Sequence, residues 1–480
     1  MKGKHLHSNN PESGLAILVL LIVIIAAFFS IYLGWVELGQ GVLERIPPNL
    51  TIANRSEIKG LGVEPRKFLL KLSDQGMGLD EVVVRAEARR EKFDIVTHKF
   101  NGEKEAEFSF EMGGATMPFD EGELDLEIKV FDRSFWFNSK EEHLKLAIDK
   151  KAPKVSVVSS QHNAQEGGSQ LVIYKTKEEN LKSSGVMVGN RKYLGFKARD
   201  MDPEMRDDSL FGVFYSVPLA SNIKENKILV FAQDAVGNIG THRFYNKISP
   251  RRFGQALVHL KDDFVDNKLD SLLESYKADL EKVTDKSPQN LFNFLNTNIR
   301  KFEDSKITSI CKSATLSKRN WSTGFIMGSG NPLYRFGERL EFMYKGNTWS
   351  QLTNKGYDLQ LPLSSTIYAV QDGEVLDIET YSVFGKTIII NHGLGLTSVY
   401  SGLGSILVKK GDKITPERPV GTSGESGLRI KPGYYFEFRI DGDPVNPVEW
   451  WDREWVKDHL EAKIKESKRA LGLQEITNIE

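Results

Sequence analysis

The 480-residue sequence contains a single cysteine, Cys311, so it can form neither an intrachain disulfide nor a cysteine-based zinc site. It has no surplus of either charge: 64 Lys and Arg stand against 65 Asp and Glu. That balance offers no bulk attraction to nucleic-acid phosphates, and no nucleic-acid partner is expected. Histidine is scarce as well. Between residues 320 and 450, His392 stands alone, which leaves no local cluster of imidazoles for a metal centre or for proton transfer. His143, His162 and His242 are widely separated and read as ordinary surface or core residues.

The most conspicuous feature present is LAILVLLIVIIAAFFSIYL, residues 15 to 33, which carries no charge. As a helix this run is roughly 29 Å long, about the thickness of a bilayer's hydrocarbon core. Lys2 and Lys4 precede it and Glu37 follows, an asymmetry that places the N-terminus in the cytoplasm. Its end, FFSIYLGW, is too bulky for signal cleavage. The expectation is a cytoplasmic tail over 1–14 and a transmembrane signal-anchor over 15–36, with Tyr32 and Trp35 at the outer interface. The topology implied is a single pass with the bulk of the chain exported.

Beyond the anchor the chain reads as mostly β. Over 50–150, Leu124, Leu126, Ile128 and Val130 alternate with acidic residues, the pattern of a half-buried strand. Pro153 marks a boundary. Short strands at 171–175, 212–217 and 227–238 then predict an immunoglobulin-like β module over 153–248. From 251 to 315 the pattern changes to a helical hairpin. Leu257, Leu260, Phe264, Leu269, Leu272, Leu273, Tyr276 and Leu280 fall on one helical face over 254–283, and Pro288 opens a second helix to about 311. Residues 320–455 return to short strands with glycine turns at 373, 385, 393, 395 and 411, followed by a C-terminal helix over 456–480.

Within 320–455 a series of short motifs occurs in order. They are Asn354-Lys355-Gly356-Tyr357-Asp358, Pro362, Ala369-Val370-Gln371-Asp372-Gly373-Glu374-Val375 and Asn391-His392-Gly393-Leu394-Gly395. Then follow Tyr400-Ser401-Gly402-Leu403, Gly411-Asp412, Gly421-Thr422-Ser423-Gly424, Gly433-Tyr434-Tyr435-Phe436 and Val445-Asn446-Pro447. This order resembles the lysostaphin-type (LytM-like) zinc endopeptidases that cleave bacterial cell-wall cross-links. The resemblance implies their duplicated β motif as the fold. It also implies zinc ligands at Asn354, Asp358 and Tyr435, and two assisting histidines at Gly402 and Gly433. All four of the family's histidines are replaced.

Asparagine is a weak neutral ligand, tyrosine binds metal well only after losing a proton with a reference pKa near ten, and one carboxylate does not compensate. Glycine offers no side chain for proton transfer or for an oxyanion. No catalytic residue and no metal site are therefore expected, nor any cofactor. Zinc would enter only if the chain were an active endopeptidase with a non-standard site, which would need Asp358, His392 and an available carboxylate such as Glu437 or Asp443. Tyr357, Tyr434, Phe436, Glu437 and His392 are the residues for an aromatic groove, with simple packing as the alternative. The resemblance then implies an inactive, membrane-anchored protein that binds peptidoglycan or regulates a wall hydrolase. It also implies that the membrane is the bacterial inner membrane and the outside periplasmic. The alternatives are the active endopeptidase and a structural component of an envelope assembly docked through the helices at 254–311.

Overall fold

The computed structural model describes residues 22–34 and 42–473, apart from 90, 116, 220–227, 282, 315–317 and 322–323. Of the apolar run, residues 22–34 form an exposed helix about 20 Å long at 1.5 Å per residue. Among the described residues no helix is long and apolar enough to cross a membrane. The tail over 1–14, residues 15–21, Trp35 and Glu37 lie outside the described residues. The expected single-pass anchor is corrected accordingly. The inner-membrane location, the membrane as a partner and the membrane-anchored form of the function are not carried forward.

The chain divides into two compact units. The first comprises residues 1–152 with 235–238 and is built from two sheets. One has three strands, Asn49–Ile52, Pro65–Ser73 and Glu105–Gly113; the other has five, centred on Leu79–Ala88 and Gly122–Asp132. Leu124, Leu126, Ile128 and Val130 are all buried and share one core with Phe68, Leu70 and Leu72. Their alternation with the charged residues Asp125, Glu127 and Lys129 puts every second side chain inward, as a period of two demands.

The second unit comprises residues 153–234 and 239–480. Its first part is a pair of four-stranded antiparallel sheets. Their core is continuous with that of the C-terminal β domain: Trp450 packs 5.6 Å from the Phe214 ring, and its Nε1–H donates to Ser169 Oγ at 3.1 Å.

Between these parts the expected helix over 254–283 is corrected. Gln255–His259 is a strand, paired in parallel with Arg339–Tyr344, and helical structure is continuous through Phe264–Leu280. Leu257 points outward and Val258 inward, so the local pattern is alternation, which the leucine spacing masked. The second helical stretch opens on Pro288, a favourable first position because its missing N–H has no helical partner to lose. It ends in the helix Arg300–Lys312, here α1. Glu303, Ile307 and Cys311 recur every four residues and form its buried face.

Four strands of the C-terminal sheet position the site. They are β1 (Tyr357–Gln360), β2 (Gly385–Gly393), β3 (Leu396–Ile406) and β4 (Gly433–Ile440). β4 lies between β1 and β3, and β2 flanks β3. The register sets Asp358 opposite Tyr435 and Tyr435 opposite Ser401, so one row runs across three strands and ends beside Gly402.

Candidate functional site

The row Asp358–Tyr435–Ser401 faces a cavity of about 70 Å³ lined by Asn354, Asp358, Gly402, Tyr435, Arg300 and Arg429, among others. The fold thus brings four of the five aligned site positions together around one space. Gly433, the fifth, reaches it through its contact with Arg429.

Arg429 dominates this space. Its side chain is 6% exposed, and Nη2–H donates to Asp358 Oδ1 at 2.9 Å and to the Lys431 carbonyl at 3.1 Å. A Cβ added at Gly402 would fall 2.2 Å from Arg429 Cδ, and one at Gly433 would fall 2.8 Å from its Nη2. The guanidinium side chain therefore runs through the space that side chains at 402 and 433 would need. Gly402 also has φ +73°, which disfavours any L side chain there. The loop that carries Arg429 is held by Lys268 Nζ, which donates to the carbonyls of Glu425 and Arg429, both at 2.7 Å.

The remaining ligand positions are committed to structure. Asn354 Nδ2–H donates to the carbonyls of Arg335 and Gly356, each at 3.0 Å, and so closes a turn. Burial raises the Asp358 carboxyl pKa, and Arg429 opposes that rise. Tyr435 donates its hydroxyl to Glu437 Oε1 at 2.8 Å; burial and that carboxylate hold its pKa well above ten, so the phenolate a metal would need is disfavoured. These residues do not fit zinc. The positions offer one carboxylate, a locked amide and a protonated phenol, with a guanidinium among them.

The groove residues divide. Tyr434 and Phe436 have no exposed surface, and Tyr357 is 6% exposed. Their rings pack on Tyr400 and Trp451 at centroid distances of 5.1 to 6.2 Å and fill the domain interior rather than an open groove. His392 is buried away from Asp358, with Nδ1 2.6 Å from the Asp372 carbonyl and Nε2 2.8 Å from Ser398 Oγ. Burial lowers its pKa to about 4, consistent with a neutral core imidazole. Asp443 pairs with Arg191 and Tyr193.

Glu437 belongs to a buried network that fixes α1 on the sheet. Arg439, fully buried, pairs with Glu437 and with Asp304 of α1 at 2.6 Å, and it donates to Thr308 Oγ1 at 2.9 Å. Burial would lower its pKa, but Glu437 and Asp304 outweigh that and hold it above the ordinary value. Next to Asp304, Glu303 accepts the backbone N–H groups of Ser382 at 2.8 Å and Val383 at 2.9 Å, with the Tyr276 hydroxyl at 3.0 Å. The helices expected to serve as a docking element therefore have this face committed to the domain's own core.

Sequence reasoning missed Arg429, Arg300 and Glu303. A basic residue close before the Gly433 substitution was the one visible signal for Arg429. Among the described residues, the single group of three or more His, Cys, Asp or Glu side chains close enough to share an ion is Glu44, Asp74 and Asp132, all in the first unit.

Residues 352–447 match the family model described as Peptidase family M23. Among curated proteins, the murein hydrolase activator EnvC of Escherichia coli is 31% identical over 26% of this chain and 28% of its own length. The peptidoglycan DD-endopeptidase ShyA of Vibrio cholerae is 32% identical over 20% of this chain and 22% of its own. Stage II sporulation protein Q of Bacillus subtilis is 29% identical over 23% and 36%, respectively. The chain thus spans about a quarter to a third of the length of these relatives. Its C-terminal β domain is a distant M23-family metallopeptidase domain without the paired histidines of the catalytic motif, and its active site is degenerate and non-catalytic.

Proposed function

We propose that the M23-type domain of this chain is a non-catalytic protein-binding component of peptidoglycan remodelling, one that organises or regulates a wall hydrolase. The observation that carries this reading is Arg429, whose side chain occupies the degenerate site and pairs with Asp358. A chain that kept hydrolytic chemistry would leave that space to metal and substrate, whereas a binding component has no such need. The relatives support the setting, since one is a murein hydrolase activator and another a peptidoglycan endopeptidase. Within M23 we favour the lysostaphin-type branch, because its turns occur here in order from Asn354 to Pro447.

The test uses the purified full-length chain. Zinc content is measured, and release of soluble fragments from peptidoglycan sacculi is followed with the chain alone and with a wall hydrolase added. The expected result is no stoichiometric zinc and no release by the chain alone, but a changed rate of release by the hydrolase. Stoichiometric zinc together with cleavage that Asp358→Ala abolishes would overturn the proposal. So would the absence of any effect on every wall hydrolase tested from the same cell.

A further inference from the structure

In the first unit, the segment 42–45 meets two loops. Trp136 Nε1–H donates to the Val42 carbonyl at 2.8 Å, the Arg45 guanidinium lies 3.8 Å from the Trp136 ring centroid, and Asn138 Nδ2–H reaches the Glu44 carbonyl at 3.4 Å. These contacts set Glu44 beside the turn at 74–78 and the loop at 132–138. There, one carboxylate oxygen from each of Glu44, Asp74 and Asp132 lies within 4.8 Å of the others.

Each carboxylate is held by hydrogen bonds, Asp132 through both of its oxygens and the other two through one oxygen each. Asp74 Oδ2 accepts the N–H groups of Gly76 at 2.9 Å and Gly78 at 2.7 Å, and Glu44 Oε2 accepts that of Met77 at 2.6 Å. Asp132 Oδ1 accepts the Ser134 hydroxyl at 2.6 Å, and its Oδ2 accepts Asn138 Nδ2–H at 2.9 Å. The second oxygens of the first two are left over. Asp74 Oδ1 and Glu44 Oε1 are shut off from solvent without a hydrogen-bond partner, and Asp74 as a whole is only 4% exposed. A Cβ at residue 76 would sit 1.2 Å from Glu44 Oε1, so the glycine makes room for this oxygen.

We propose that Glu44, Asp74 and Asp132 form a calcium site that fastens the 42–45 segment to the two loops. Three facing carboxylates repel one another, and orphaned dry oxygens are costly unless a cation or a proton meets them. One oxygen of a carboxylate fixed by an N–H group and the other left bare is how outer hydrogen bonds orient a ligand toward an ion. An all-oxygen, three-carboxylate set suits a hard cation and not zinc. Magnesium demands a near-ideal octahedron at short distances, whereas calcium accepts irregular all-oxygen surroundings such as these carboxylates completed by water at the partly exposed Glu44 rim.

The experiment titrates calcium chloride into the chelator-treated full-length chain, read by calorimetry and by thermal unfolding. The expected result is one calcium bound per chain and a raised Tm. Glu44→Gln and Asp74→Asn should each weaken binding on the order of tenfold or more, because ligand charge count sets affinity. In calcium-free buffer Glu44→Gln should unfold at a higher temperature than the parent, since one of three repelling charges is gone, and the order should reverse with calcium. Absence of calcium binding would overturn the proposal, as would calcium affinities in both variants equal to the parent's. So would a Tm rise matched by potassium chloride at the same ionic strength. If circular dichroism shows that Asp74→Asn misfolds, Glu44→Gln decides alone, because Glu44 lies at the rim and is partly exposed.

Discussion

In the sheet that carries Asp358, buried carboxylates meet guanidiniums of the same chain, whereas Glu44, Asp74 and Asp132 face one another. Arg429 sits on Asp358, and Arg439 joins Glu437 to Asp304. No ion pair within 4.0 Å connects the acidic trio to a basic side chain among the described residues. The contrast teaches where a fold depends on its surroundings. The C-terminal domain supplies counter-charges for these carboxylates from its own chain. The first unit leaves that role to a cation or a proton from outside.

The comparison can be broken most forcefully at Arg439. Arg439→Met should strand Glu437, leave Asp304 only its exposed partner Lys355, and cost about 3–5 kcal/mol, as removing one partner from a buried ion pair does. Urea unfolding of the variant should show the loss; a cost near zero would mean that the network is solvated and the self-contained picture is wrong.

A second test concerns buried groups that proton exchange can neutralise. Glu449 accepts the N–H of Ser169 at 2.8 Å, and burial raises its pKa to about 7, while burial lowers that of Lys463 to about 7. Between pH 4.5 and 7 the folded chain keeps the Glu449 proton that the unfolded chain has released, so this group makes stability fall as pH rises. Between pH 7 and 10.5 the unfolded chain keeps the Lys463 proton that the folded chain has released, so stability rises with pH. Thermal unfolding across pH should show both arms, with Glu449→Gln flattening the first and Lys463→Met the second. A parent profile without either arm would contradict this assignment.

Finer still is the space around Arg429. Gly402→Ala should destabilise the chain, through its positive φ and through contact with Arg429 Cδ. The penalty should shrink in an Arg429→Ala background, with an interaction free energy of about 0.5–3 kcal/mol in a double-mutant cycle. Additive effects would show that the arginine does not hold the space. The smallest effect is expected at Lys355, whose side chain is 47% exposed and pairs with Asp304 at 2.7 Å. Lys355→Ala should cost at most about 1 kcal/mol, because solvent already screens that pair. Asp304 thus compares a buried cation with an exposed one on the same carboxylate.

Much of the fold was legible because its signals are local. Alternation at 124–130 gave a strand, and glycine-bounded runs gave the strands around 373–393 and 433–440. The loss of the histidines was legible for the same reason, since each position sits in a short motif. Leu257 misled because its spacing to Leu260 and Phe264 suits a helix, while parallel pairing with 339–344, a long-range contact, decided for strand. Arg429 was hidden because its overlap with 402 and 433 depends on how its loop folds back over two strands. Residues 44, 74 and 132 were hidden likewise: their separations obey no motif, and only the turns bring their oxygens together.

The two glycines beside Arg429 bear on how such a domain changes over time. A histidine gained at 402 would collide with the arginine and adopt an unfavourable backbone, and one gained at 433 would strike both the guanidinium and the Leu359 carbonyl. Losing the arginine first would leave Asp358 without its partner. Each of these three steps toward a zinc site therefore passes through a weakened fold, and several must occur before any metal chemistry rewards them. The arrangement works as a ratchet: while the guanidinium sits there, histidines at 402 and 433 are barred one substitution at a time.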